Sequence, residues 1–285
     1  MNINVYVIAT LAIVISITIS LFVLYRLHNN TNNKPRVFCI MVTGKDDQRL
    51  CFSQKSIDNF NEQLYENKTL IIINHNSKKV LQHSPRIEEN IFEFQIQKEK
   101  NNLTLGDLRN IALQLVPIDA LWTVWDDDDY RTPDYLDILT NEMEKTSADV
   151  VVFTHRIECN YNTGFVWEME LGTGFVFVLA KQDLRVKYKN LNTMEDVDLI
   201  KDFRKLGKHI HVFNNRDKSD MYIRLVHGTN TSLYVDKDKT AIHVSCEKNI
   251  GPYVEKSLPQ GKQKEILHFI SEYYSKCLIF QNNNS

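Results

Sequence analysis

The stretch Leu121-Trp-Thr-Val-Trp-Asp-Asp-Asp-Asp-Tyr130 decides how this chain is read. Residues 121–125 are apolar or aromatic apart from Thr123, the composition of a strand buried on both faces. Four carboxylates follow without a spacer, so Asp126 to Asp129 stand at that strand's carboxyl end. Out of context a run of acids is a solvated face, but in open α/β sheets ligands bind beyond the carboxyl ends of strands. Between Asp126 and Asp137 there are six acids and one base, Arg131. Such crowding repels itself unless water, hydrogen bonds or a cation offsets it. A divalent ion held by one or two carboxylates plus substrate phosphates meets that need. An EF-hand loop beginning at Asp126 fails, because Tyr130 and Arg131 stand where it requires an oxygen ligand and a glycine. What is left is the pair Asp126-x-Asp128.

Outward from this run, short apolar segments alternate with helical spacing. Residues 37–42 read as a first strand, followed by a helix with apolar positions at Phe52, Ile57, Phe60 and Leu64. Residues 70–73 and 91–96 read as strands, and Leu105, Leu108, Ala112 and Leu115 then recur at helical spacing. Leu136, Leu139 and Met143 mark the helix after the acidic run. This β-α-β-β-α-β-α order predicts an α/β fold with a mainly parallel central sheet flanked by helices. Further on, 150–153, 166–170, 175–179, 209–213 and 222–226 read as strands, and 196–206 and 264–274 as helices.

The amino end differs in kind. Residues 1–25 carry no charged side chain, and 5–24 are almost continuously apolar. Twenty helical residues rise about 30 Å, the thickness of a bilayer core, so this segment reads as a transmembrane helix. Neither a basic n-region nor a cleavage site for a signal peptide is evident. Arg26, Lys34 and Arg36 follow it, and the positive-inside rule places the body in the cytoplasm, with a lumenal body as the alternative. The acceptor patterns for glycosylation at Asn29, Asn67 and Asn102 matter only in the second case. The organisation expected is an anchor over 1–25, a polar linker over 26–35, a catalytic domain over 36–250, and a C-terminal helix and tail over 251–285.

With 34 basic and 36 acidic residues the net charge is −2, which argues against nucleic acid as a partner. Five cysteines are scattered with no C-x-x-C pair, so buried thiols in a reducing compartment are expected. No P-loop, dinucleotide fingerprint or nucleophile elbow occurs.

Five pieces in order carry a family resemblance: Cys39-Ile-Met-Val-Thr-Gly-Lys-Asp46, Leu70-Ile-Ile-Ile-Asn-His75, Leu105-Gly-Asp-Leu-Arg-Asn110, Trp125-Asp-Asp-Asp-Asp-Tyr130 with Pro133-Asp-Tyr-Leu136, and Glu195-Asp196. The sequence resembles glycosyltransferase family 2, of the Rossmann-like GT-A fold. The resemblance implies a nucleotide-sugar donor, a UDP-sugar first, inversion at the sugar, and a glycan, lipid or protein acceptor. It makes Asp126 and Asp128 the D-x-D motif, holding Mn²⁺ or Mg²⁺ and the donor's ribose, with Asp127 and Asp129 orienting them. It places the catalytic base at Asp196, with Glu195 beside it; taken alone, this pair reads equally as the charged first turn of a helix. A late histidine completing the metal shell corresponds to His227. Arg224 suits a diphosphate or a solvated surface equally. Thr43 and Asn74 at strand ends, and Arg109 with Gly106 and Asn110 on their helix, are candidate donor contacts. A nucleotidyltransferase on a similar fold and a non-catalytic metal-dependent glycan-binding module are the alternatives.

Overall fold

The computed structural model describes residues 34–44, 49–76, 80, 90–96, 103–174, 178–192, 195–196, 198–226, 253–275 and 277. The expected anchor over 1–25, the linker up to residue 33, and His227 lie outside the described residues. No helix among the described residues is long and apolar enough to cross a membrane.

Apolar β-branched runs build the first layer. Val37–Thr43 (β1) leads to helix Arg49–Asn61 (α1) and to Lys68–Asn74 (β2), which runs parallel to β1 in register from Val37↔Lys68 to Thr43↔Asn74. Ile91–Gln95 (β3) adds parallel to β2, helix Leu105–Gln114 (α2) crosses over, and Leu121–Val124 (β4) pairs parallel to β1 on its other side. Thr104 and Asp107 form a capping box that starts α2. After the acidic turn come Tyr130–Arg131 (β5), helix Tyr135–Thr146 (α3), Val150–Phe153 (β6), His155–Asn160 (β7), Phe165–Leu171 (β8) and Val178–Lys181 (β9). Helix Leu199–Lys205 (α4), Ile210–Phe213 (β10), Tyr222–Val226 (β11), Tyr253–Ser257 (β12) and helix Gln260–Tyr273 (α5) follow.

Two sheets result. The larger has the order β10-β6-β9-β4-β1-β2-β3, parallel except around β9, which is antiparallel to both β4 and β6. This is the α/β architecture with a central sheet that the spacing predicted. The smaller, β12-β8-β7-β11-β5, was not anticipated as a separate layer. Its β5 begins one residue after Asp129, so the acidic turn leads straight from one sheet into the other.

Three expectations need correction. Leu64 is not on the helix: α1 stops at Asn61, and the Leu64 N–H donates to the Pro133 carbonyl while its side chain is 66% exposed. Glu195 and Asp196 precede the helix instead of opening it, because α4 begins at Leu199 and its N–H bonds the Asp196 carbonyl. Cys51 and Cys277 are not thiols but a disulfide with Cα atoms 5.3 Å apart, while Cys39 and Cys159 are buried and free.

Candidate active site

The acidic turn is pinned from beneath before any carboxylate is considered. Trp125 is fully buried and its indole N–H donates to the Ser56 carbonyl at 3.0 Å, while the Ser56 hydroxyl donates to the Asp126 carbonyl at 2.9 Å. Helix α1 therefore holds the turn by its backbone. The four side chains then diverge into separate networks.

Asp127 points inward. Arg49, the first residue of α1, forms an ion pair with it, and Thr43 Oγ1 donates to its Oδ2 at 2.7 Å. Arg49 Nη2 also donates to Asp128 Oδ2 at 2.8 Å, so one guanidinium bridges neighbouring carboxylates. Burial works against the Arg49 charge, but Asp127 and Asp128 more than offset it and hold the guanidinium well above its ordinary value. Asp129 turns to the second sheet, accepting from the Tyr222 hydroxyl and from the Leu225 N–H. Burial, with Asp128 and Asp126 nearby, pushes its carboxyl up to about 7.

Asp126 faces the other way. Arg109 on α2 donates Nη2 to Asp126 Oδ1 at 2.9 Å, and its Nη1 is ion-paired to Glu195. The guanidinium also lies over the Tyr188 ring, 5.3 Å from its centroid. Burial raises both the Glu195 and the Asp196 carboxyls, with Arg109 opposing it in each case. One arginine thus joins the end of β4 to the acid pair far along the chain.

The remaining sequence candidates have defined places. Thr43 ends β1 and touches Asp127. Asn74 ends β2, donates to Glu93 Oε1 at 2.6 Å, and accepts from the Asn76 N–H at 2.8 Å. Gly106 lets α2 approach the following segment: a Cβ there would stand 1.7 Å from the Lys189 carbonyl oxygen. Asn110 bonds the Tyr188 backbone through both ends of its amide, at 2.9 and 2.8 Å. Gly106 and Asn110 thereby seat the segment that leads to Glu195. Arg224 lies on β11 with Nη1 3.5 Å from Glu158 Oε1.

Arg49, Ser53 and Tyr222 were not anticipated. Arg49 and Ser53 are four apart on one face of α1, a spacing that was legible, but nothing in the sequence tied that face to the acidic run. Asp126 and Asp128 are the most exposed of the four acids, with side chains 24% and 9% exposed. Two hard carboxylates suit Mg²⁺ or Mn²⁺, which take further ligands from phosphates and water. Among the described residues no group of three or more His, Cys, Asp or Glu is placed to hold a metal ion.

The family model described as Glycosyl transferase family 2 matches residues 52–197, a span that includes both acidic clusters. The chain belongs to glycosyl transferase family 2. Its mixed α/β fold with a central sheet is of the GT-A kind. No curated protein matches it. Among solved structures, TarS 1–349 of S. aureus in complex with UDP superposes with a TM-score of 0.51 at 16% identity, over 67% of this chain and 60% of that one. The same fragment in complex with UDP-GlcNAc gives 0.50 at 13% identity, over 69% and 60%. The mannosyltransferase PcManGT from Pyrobaculum calidifontis, in complex with GDP-Man and Mn²⁺, gives 0.49 at 11% identity, over 79% and 69%. The chain spans about 60% of the TarS chains it matches, and at these identities the likeness is one of fold.

Proposed function

We propose that this chain moves a sugar from a nucleotide-diphosphate sugar, a UDP-sugar first, to an acceptor hydroxyl in one inverting displacement. The observation that carries this reading is the Arg109 clamp, which ties Asp126 of the donor-side motif to Glu195 beside the proposed base. A general base must come within hydrogen-bond reach of the hydroxyl it deprotonates, so the two acidic clusters must share one cleft.

In this reading Asp196 takes the proton from the acceptor hydroxyl as its oxygen attacks the anomeric carbon. The bond from that carbon to the diphosphate breaks, and the nucleoside diphosphate leaves with the electron pair. Burial raises the Asp196 carboxyl from its ordinary value, which makes it a stronger base. Asp126 and Asp128 would hold the divalent ion. That ion, when bound, neutralises charge growing on the departing diphosphate. Thr43, Asn74 and Arg109 border the donor, and Glu195 keeps Arg109 aligned.

The anchor at residues 1–25 belongs to the same proposal. The Cys51–Cys277 bond favours the lumenal alternative for the body, since disulfides persist in oxidising compartments.

Release of nucleoside diphosphate from a panel of nucleotide sugars, with Mn²⁺ and mixed acceptors, tests the function. Asp196→Asn should lower acceptor-dependent release about 10²- to 10⁴-fold, the usual contribution of a positioned base. Undiminished transfer in that variant would sink the assignment.

A further inference from the structure

Side-chain alternation along the second sheet separates its two faces. Ile157, Cys159, Val166, Ile223 and Leu225 belong to the face that α5 covers with Ile266 and Ile270. The opposite face carries Arg156 and Glu158 of β7, Trp167 of β8 and Arg224 of β11. Glu158 stands directly across from Trp167 on one side and from Arg224 on the other.

Glu158 is fully buried and ion-paired to Arg156, with Arg224 at 3.5 Å on the same Oε1. Burial works to raise its carboxyl, but the two arginines outweigh it, so Glu158 is ionised. Its second oxygen, Oε2, has no hydrogen-bond partner, and neither has Nε1 of Trp167; both atoms are buried. A buried acceptor and a buried donor, each unsatisfied on directly opposed residues, leave room in their hydrogen bonding for one group that serves both. A hydroxyl fits both atoms, because it accepts one hydrogen bond and donates another.

Two further observations say whose hydroxyl it is. Burial raises the Asp196 carboxyl, and Arg156 is among the charges that oppose it, so this row lies within electrostatic reach of the proposed base. The ring of Phe165, a residue 42% exposed, lies 5.2 Å from that of Trp167, giving an aromatic platform of the kind that accepts the C–H face of a sugar ring.

We propose that this face of the second sheet is the acceptor subsite, and that the acceptor is a saccharide, one hydroxyl of which accepts from Trp167 Nε1 and donates to Glu158 Oε2. The proposal rests on the glycosyl-transfer reading and names that reaction's acceptor class.

Saturation-transfer NMR on the full chain tests it, with methyl α- and β-glycosides of glucose, galactose, mannose and N-acetylglucosamine as acceptor probes and UDP and GDP as nucleotide probes. At least one glycoside should bind, and Trp167→Phe, which keeps the ring but removes the N–H, should raise its Kd about ten-fold. Glu158→Gln should weaken it at least as much. The double variant should bind no more weakly than the weaker single, because both side chains hold one hydroxyl. Nucleotide binding should be unchanged throughout. Glycoside binding that survives Trp167→Phe intact would assign the gap to a buried water and overturn the proposal. Binding of no glycoside, or a parallel loss of nucleotide binding, would overturn it too. Glycoside binding without any nucleotide binding would instead remove the nucleotide-sugar reading and leave a saccharide site.

Discussion

Two arginines share the acidic turn, and their geometries differ. Arg49 reaches Asp127 and Asp128 from the helix that directly follows β1, and Thr43 and Ser53 support the same carboxylate. Arg109 reaches Asp126 from α2 and joins it to Glu195, a residue with no other link to that turn in the chain's local order. The first contact is a local latch that fixes the shape of the turn. The second is a clamp between distant segments. A latch with several supports should tolerate loss better than a clamp with one, and the two should respond differently to a cation.

The sharpest way to break this contrast is Arg109→Met. It strands Glu195 and Asp126 without their counter-charge, and the expected cost is about 3–5 kcal/mol in urea unfolding, with loss of transfer. Wild-type stability in that variant would reduce the clamp to decoration. Arg49→Met should cost less, about 3 kcal/mol, because the Thr43 and Ser53 hydroxyls still serve Asp127. It should also make the melting temperature more sensitive to Mn²⁺ or Mg²⁺ than in the wild type, since the cation then replaces the guanidinium beside Asp127 and Asp128. An equal metal response in both proteins would show that Arg49 and the ion do not share a position.

The smallest effect concerns Asp129. Its folded-state carboxyl lies at about 7, against about 3.9 for an unfolded aspartate, so the native state keeps a proton that the unfolded chain has lost. The stability this gives is present at low pH and disappears as pH rises through about 7. Thermal unfolding between about pH 5 and about pH 8 should therefore slope downward, and Asp129→Asn should flatten the slope. An unchanged slope would place the titration elsewhere.

The parallel strands were legible because β-branched apolar runs such as Leu70 to Ile73 have one reading. The second sheet was legible only in part: 166–170 and 222–226 read as strands, but 130–131 and 155–160 did not. In β7, His155, Arg156 and Glu158 interrupt the apolar alternation, and all three are buried. A strand whose polar side chains are buried against each other looks like a loop to any argument from hydrophobic period. The D-x-D pair and the acid pair at 195–196 were likewise visible as residue types. The arginines that organise them were harder to find: Arg109 was a candidate for the donor but not for Glu195, and Arg49 had no motif around it. Partnership between residues distant in the chain leaves no periodic trace.

The disulfide between Cys51 and Cys277 reaches back to this same latch. Cys51 follows Arg49 by two residues on α1, and the bond spans a sequence separation of 226 residues. In the chain-entropy account, closing so large a loop stabilises the folded state by about 5 kcal/mol relative to the open chain. The cross-link encloses the second sheet and both acidic clusters in a single covalent ring, with β1 of the larger sheet just outside it, and is fastened near the residue that shapes the acidic turn. The extreme carboxyl end thus becomes part of the frame of the site, and the thiol chemistry of the surroundings governs how firmly that frame is closed.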